Sequence, residues 1–433
     1  MVKIKAGLLA SLVVCSVILS TLLIFGQPVP SHGDLGAEPW FGPLPDLPEI
    51  SLPQRIYICS QGHRAFLIET MSQKYADLVR VLGLMEFSNE KGGDVWVTGE
   101  FTRESISSGV FFRYDYQISR GLLANWLTMF YETDFPFAAI DGIFIPLDGG
   151  SVKFINTDTG MLWQLQVELP LTVFQHAAAE IDALPAYTMA VMEPGETYTV
   201  ETGVFDLAAP ELIALPACEL ETVKTGEIIS SFFLNPSVIQ EADGTETYTD
   251  GFAALRVFPS GALEYTSGGR GQGEAYLTQT QLVQKALEFI GRHGGWPEHM
   301  LPVRLSNRPA QSASLEFRMF ASGLPVTGEN IGITLGFLAE TVSHYKRNLA
   351  VADEAAVQSF AEVKPLTALL ATESQAGKFF AEENMRISDL MLVYYWQHDM
   401  LIPVWQVSTE NQVVYVAASD GRVLQIETLS GGD

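Results

Sequence analysis

The chain has 433 residues, 47% of them hydrophobic and 11% aromatic. That excludes a disordered tail and leaves room for two or three domains, each with a core of its own. Beyond residue 26 there are 51 acidic residues against 23 basic ones (Lys3 and Lys5 being set aside from the total of 25), a balance of −28. Such a surface repels nucleic acid and anionic lipid headgroups; solubility, or an acid- or salt-adapted host, is the plain reading of it.

Gly7–Gly26 carries no charge and is dense in Leu, Val and Ile. It matches the ~20 residues an α-helix needs to cross ~30 Å of hydrocarbon. Lys3 and Lys5 precede it and no basic residue follows closely, which orients Met1 to the cytoplasm and the rest of the chain outside. The run is longer than a signal-peptide core, and Phe25-Gly26-Gln27-Pro28 is a poor cleavage box, so the segment reads as an uncleaved anchor. Small residues stripe it: Gly7, Ser11 and Cys15, with Ile18, lie near helical spacing and form a candidate face for helix association within the membrane. The Pro- and Gly-rich stretch up to residue 50 reads as a semi-extended linker.

From there the pattern predicts a strand at Arg55–Cys59 and an amphipathic helix over about His63–Glu86. Strands are expected at Val95–Val97, Val110–Tyr116, Ala138–Pro146, Ser151–Ile155 and Met161–Leu169, and a helix at Ile118–Tyr131. Short extended runs follow at Tyr198–Val204 and Leu212–Leu215. Asp243-Gly244, Asp250-Gly251 and Ser260-Gly261 are turn signals at regular intervals, and the runs between them predict a β-meander through Glu246–Thr249, Ala254–Phe258 and Leu263–Tyr265. Gly268–Gly273 reads as a loop, and Thr280–His293 as a helix ended by Gly294-Gly295-Trp296-Pro297. Strands are expected at Leu315–Ala321, Ile331–Leu335 and Phe337–Tyr345, helices at Val351–Glu362 and Pro365–Phe380, and closing strands at Leu390–Trp396, Ile402–Ser408, Val413–Ala418 and Val423–Glu427.

The expected class is α+β: a single transmembrane helix followed by a multi-domain body of antiparallel sheets with packed helices. The expected division is a cytoplasmic tail 1–6, the membrane helix 7–26, the linker 27–50, a first domain 51–184, a middle domain 185–300 holding the meander, and a C-terminal domain 301–433. Of the cysteines outside the span, Cys59 and Cys218 are either bridged, as an extracytoplasmic setting permits, or free buried thiols.

Several residues then converge on a known pattern. Asn235-Pro236-Ser237, Asp243-Gly244-Thr245, Tyr248-Thr249-Asp250-Gly251, Leu255-Arg256 and Leu263-Glu264-Tyr265 form one long run. With the Lys-flanked span, the Gly323-Leu324-Pro325-Val326 turn and the closing Pro403-Val404-Trp405, Tyr415-Val416-Ala417 and Gly421, the chain resembles the YycH family of two-component-system regulatory proteins, related to YycI. Ala417-Ala418 departs from the Asn-Ala pair expected there. The resemblance implies a non-enzymatic accessory protein of the cell membrane, with a C-terminal part like YycI. Its implied partners are a YycI-like membrane protein and a sensor histidine kinase of cell-wall homeostasis in Gram-positive bacteria. It implies contact largely through membrane helices, and brings no catalytic residue and no cofactor. Asp243, Gly244, Tyr248, Asp250 and Gly251 mark its most distinctive stretch.

Other chemistry weighs less. Ser343-x-x-Lys346 and Lys224-Thr225-Gly226 have the spacings of penicillin-interacting enzymes, but in reversed order and without a Ser-x-Asn, so a serine hydrolase is the weaker alternative. His293 and His299 are separated by a helix-breaking Gly-Gly-Trp-Pro and no His-Glu-x-x-His occurs, so no metal site is expected. Gly268–Gly273 lacks the Gly-Lys-Ser/Thr ending of a phosphate loop. Trp296, Trp396, Trp405, Tyr394 and Tyr395 read as core, or as a partner face if the C-terminal sheet presents one. A ligand-binding sensor module is the other alternative function.

Overall fold

Strand alternation decides this architecture. A computed structural model describes residues 41–428, apart from 61–63, 88–96, 128–129, 131–134, 169, 181–187, 192–194, 196–197, 202–203, 208–210, 222–224, 269–276, 308–311 and 330. The expected cytoplasmic tail, membrane helix 7–26 and first part of the linker lie outside the described residues. Among those described, no helix is long and apolar enough to cross a membrane.

Two large sheets carry the fold. The first has nine strands, in the order Phe205–Leu207, Thr188–Val191, Arg64–Ile68, Arg55–Ser60, Gly109–Ser119, Ala139–Pro146, Val152–Asn156, Met161–Leu165 and Val97–Glu100. Successive side chains of a strand point to opposite faces, and here both faces are covered. Ile56, Ile58, Val110 and Phe112 pack with Tyr75, Leu78 and Leu82 of the helix Gln73–Gly83 and with Phe174 of Leu171–Ala179. Tyr57, Cys59 and Phe111 face the other way, into a core shared with Leu392, Tyr394 and Trp405 of the second sheet.

The second sheet has sixteen strands. It begins with the expected meander, Ser237–Gln240, Glu246–Thr249, Ala253–Val257 and Leu263–Ser267, each antiparallel to the next, and continues into Thr341–Asn348. Leu324–Thr327 joins its two halves: it is antiparallel to Ala313–Ala321 on one side and parallel to Arg386–Gln397 on the other. Gly323 makes the turn into it at φ +77, with Glu69 so close that a Cβ would lie 2.6 Å from the Glu69 Cβ. Only glycine permits that approach of the second sheet to the end of a first-sheet strand. The closing hairpins Arg386–Gln397, Met400–Thr409, Gln412–Ala417 and Val423–Thr428 form as expected, as does the helix Gln279–Arg292, capped by Thr278.

Four helix expectations are corrected. His63–Glu86 is not one helix: Arg64–Ile68 pairs as a hairpin with Arg55–Ser60, and the helix starts at Gln73, where the Ser72 hydroxyl accepts from the Tyr75 amide at 3.2 Å. Ile118–Tyr131 shrinks to a single turn, Arg120–Leu123, because the preceding strand runs on to Ser119. Val351–Glu362 is strand, not helix: Ala350–Val363 pairs along its length with Glu211–Leu220, through a bulge near Pro216. Helix preference among Ala and Glu is worth only tenths of a kcal/mol per residue, roughly, and a long ladder overrides it. Pro365–Phe380 breaks into Leu366–Leu370 and Gln375–Glu383, the second capped by the Ser374 hydroxyl, which accepts from the Gly377 amide at 3.1 Å.

Cys59 and Cys218 are free thiols, both buried. Burial pushes each thiol up to about 12, so almost no thiolate exists near neutrality. Iodoacetamide at pH 8 is therefore expected to leave both unmodified in the native chain and to alkylate both in denaturant. Peptide mapping by mass spectrometry reads this; rapid native labelling of either residue contradicts the packing.

Candidate functional site

The buried side of the first sheet carries charge as well as apolar residues. Arg55 shares the face of Tyr57 and Cys59 and so points at the second sheet. Its Nη1 and Nη2 donate to Oδ1 and Oδ2 of Asp389, on Arg386–Gln397, at 3.1 and 2.8 Å. Asp115 of the strand Gly109–Ser119 places Oδ1 2.7 Å from the same Nη2, and Nη2 of Arg113 lies 4.0 Å from Asp389. The side chains of Arg55, Asp115 and Arg113 are 6%, 5% and 8% exposed. A forked guanidinium–carboxylate pair is among the stronger hydrogen-bonded geometries, and in a site this dry, removing either partner strands the other.

The two aspartates differ although both touch Arg55. Burial opposes ionisation of Asp389, but the Arg55 and Arg113 charges outweigh it and hold that carboxyl below its ordinary value. Burial dominates at Asp115 and pushes its carboxyl up, against the pull of Arg55. Geometry explains the contrast: Asp389 receives both hydrogen bonds of the fork, whereas neither Asp115 oxygen has a hydrogen-bonding partner despite the short approach to Arg55.

A break in the ladder opens space beside these charges. The pairing of Gly109–Ser119 with Ala139–Pro146 shifts register between Arg113 and Ile118. The freed Asp115 amide donates to Gln54 Oε1 at 3.0 Å, and Asn156 Nδ2 donates to Gln117 Oε1 at 2.8 Å. The result is a cavity of about 370 Å³ between the sheets, lined by Arg113, Asp115, Gln117 and Asp141 from the first sheet and Glu316, Arg318, Asp389 and Gln406 from the second. Arg318 is satisfied, donating to Glu316 and Gln406 at 2.8 Å each. Asp141 accepts from the Thr157 amide at 3.0 Å and from the Thr157 hydroxyl. Burial pushes its carboxyl up, as it does that of Glu201. Arg113 is not satisfied: its Nε and Nη1 are buried without hydrogen-bonding partners, as is Nε of Arg55.

The residues singled out in the sequence sit elsewhere. Asp243 and Asp250 are turn residues: Asp243 Oδ1 accepts from the Thr245 amide at 2.9 Å, and Asp250 Oδ1 from the amides of Phe252 and Ala253, each at 2.9 Å. Gly244 and Gly251 follow them at φ +89 and +90, and the Tyr248 hydroxyl donates to Glu246 at 2.5 Å. The two turns lie at opposite ends of the strand Glu246–Thr249, with Tyr248 between them, so the five are not gathered in one place; the outer strand Ser237–Gln240 is exposed along its length, including Val238 and Ile239. Gly7, Ser11, Cys15 and Ile18 lie outside the described residues, as does Lys224. Ser343 is the extra residue of a bulge and donates to the Gly336 carbonyl at 3.2 Å, while Lys346 pairs with Glu264 at 3.5 Å, so no Ser–Lys dyad is assembled. His293 shares a 2.9 Å hydrogen bond with the Ser231 hydroxyl and stacks on Phe232. Among the described residues, no group of three or more His, Cys, Asp or Glu is placed to hold a metal. Trp405 and Tyr394 are fully buried, Trp296 packs edge-on against Phe317, Tyr395 packs against Tyr415, and Trp396 is half-buried against the core of the two sheets.

Sequence reasoning missed the charged set between the sheets. Its signal was a charged residue at the inward parity of an apolar strand: Arg55 before Ile-Tyr-Ile, and Arg113 and Asp115 after Val-Phe-Phe. Asp389 shares the parity of Met391 and Val393, not that of Leu392 and Tyr394, and gave no such signal.

Residues 218–418 match the model of the YycH protein, C-terminal domain. Residues 218–418 are a C-terminal domain of the YycH family. The crystal structure of YycH from Bacillus subtilis has the same fold: TM-score 0.65 and 15% identity, over 86% of this chain and 97% of that one. Two further structures match more loosely. An uncharacterized protein from Eubacterium rectale has a TM-score of 0.33 and 10% identity, over 57% of this chain and 95% of that one. The Bacillus megaterium YpeB C-terminal domain has a TM-score of 0.27 and 11% identity, over 49% of this chain and 100% of that one. No curated protein matches significantly. The YycH assignment points to a regulator in a two-component system.

The two aspartates supply a comparison. A carboxyl held low by its partners stabilises the fold above its unfolded pKa and loses that contribution as pH falls through the lowered value; one pushed up has the opposite sign. At pH 7, Asp389→Asn is expected to cost about 3 kcal/mol or more, as breaking a buried pair does, and Asp115→Asn about 1 kcal/mol or less. Urea midpoints with unchanged slopes read the difference, and equal costs contradict the assignment of the fork to Asp389.

Proposed function

We propose that this YycH-family protein is a membrane-anchored accessory regulator of a sensor histidine kinase of cell-wall homeostasis. It acts in complex with that kinase and a YycI-like membrane protein. The family assignment over residues 218–418 carries the reading. The uncharged run 7–26 supports the anchor, with the cytoplasmic N-terminus that Lys3 and Lys5 favour and the bulk of the chain outside the cell. Gly7, Ser11, Cys15 and Ile18 are the proposed face for packing against the kinase's membrane helices. Ser343 and Lys346 are each engaged with a different partner, which supports a non-enzymatic role. To regulate, the protein must bind one kinase conformation better than the other, since equal affinity shifts nothing.

Capture from membranes tests this directly. The full chain is expected to recover a histidine kinase and a YycI-like protein, and a form lacking residues 1–26 to lose at least most of both. Co-reconstitution of the full chain is expected to change kinase autophosphorylation. Recovery of neither protein, with autophosphorylation unchanged, overturns the proposal.

A further inference from the structure

We infer that the cavity between the two sheets is a binding site for a small zwitterion of the α-amino-acid class, its carboxylate taken by Arg113 and its ammonium by Asp115. The Arg113 side chain is 8% exposed, yet two of its nitrogens have no hydrogen-bonding partner. Asp115, 5% exposed, places Oδ1 2.7 Å from Nη2 of Arg55, and its Oδ2 is buried without a partner. Buried polar groups of native proteins are almost always satisfied, and exceptions ask for a partner. Arg113 and Asp115 stand two apart on one strand, roughly 7 Å along it. A ligand whose two charges are separated by a single carbon fits between them.

The charge count narrows the class. Six carboxylates and four guanidiniums line the cavity. A lone anion answers Arg113 but leaves Asp115 facing a like charge, and a lone cation leaves the donors of Arg113 facing one. A neutral sugar can bond to both groups but offers no charge to either. Tyr114 and Tyr116 also line the cavity, with their rings packed in the apolar core beside it. A ligand carrying both charges answers the Arg113 donors and the remaining Asp115 oxygen at once. The volume, about 370 Å³, accommodates an amino acid. Arg304, 47% exposed, stands at the rim and marks the way in.

The inference rests on the cavity alone and is independent of the kinase reading, since binding to the purified chain and capture of a kinase are separate readouts. The test titrates the twenty free L-amino acids, one at a time, into the purified full chain by calorimetry, with thermal shift as a second readout. At least one is expected to bind, and its N-acetyl and carboxamide derivatives to bind at least tenfold more weakly, since each lacks one charge. Arg113→Met is expected to weaken binding at least tenfold with an unchanged far-UV circular dichroism spectrum. Should that variant fail to fold, the blocked derivatives decide the matter. Absence of binding by all twenty, equal binding of the blocked forms, or binding of N-acetylglucosamine in place of the amino acids overturns the inference.

Discussion

One buried ion pair sets the relation of the two sheets. Arg55 and Asp389 stand 334 positions apart in the chain and meet through two hydrogen bonds of 3.1 and 2.8 Å. Taking a guanidinium and a carboxylate out of water costs several kcal/mol each, roughly, and only good geometry repays it. The apolar core beside the pair (Tyr57, Leu390, Leu392) depends on the same alignment, because any slip between the sheets would separate the charges. Gly323 works to the same end by letting a turn of the second sheet touch Glu69.

The cavity follows from that arrangement. An uninterrupted ladder through Arg113–Ile118 would leave less room between the sheets; the register shift there opens it and frees local backbone groups for Gln54. Asp389 takes most of what Arg55 offers, and Asp115 and Arg113 are left with unanswered groups. Buried polar networks that are only partly satisfied are costly, and this one lies where two sheets of a regulator meet. A ligand there would touch both, which is the simplest way for a small molecule to bias how they sit.

Much of the fold was legible because its strands are punctuated clearly. The meander declared itself through Asp-Gly and Ser-Gly turns, and the closing hairpins through alternation ending at Gly421. Two of the failures share one cause. Ala350–Val363 is Ala- and Glu-rich and looks helical on its own, but its structure is decided by Glu211–Leu220, far away in the chain. Arg64–Ile68 likewise takes its form from the strand it pairs with. The site was hidden differently. Each of Arg55, Arg113, Asp115 and Asp389 is an unremarkable charge in the sequence; inward parity marks the first three, but only tertiary pairing shows that they meet Asp389. The residues of the family-like stretch proved to be turn-makers, which accounts for their types at those positions without any ligand.

A double-mutant cycle on Arg55→Met and Asp389→Asn tests the central claim most directly. Stability of the four forms by urea denaturation gives the coupling between the two side chains. If the pair holds the sheets together, the double mutant is less destabilised than the sum of the single mutants, by about 2 kcal/mol or more. Additivity within about 0.5 kcal/mol would show that the two act independently, and would contradict the account.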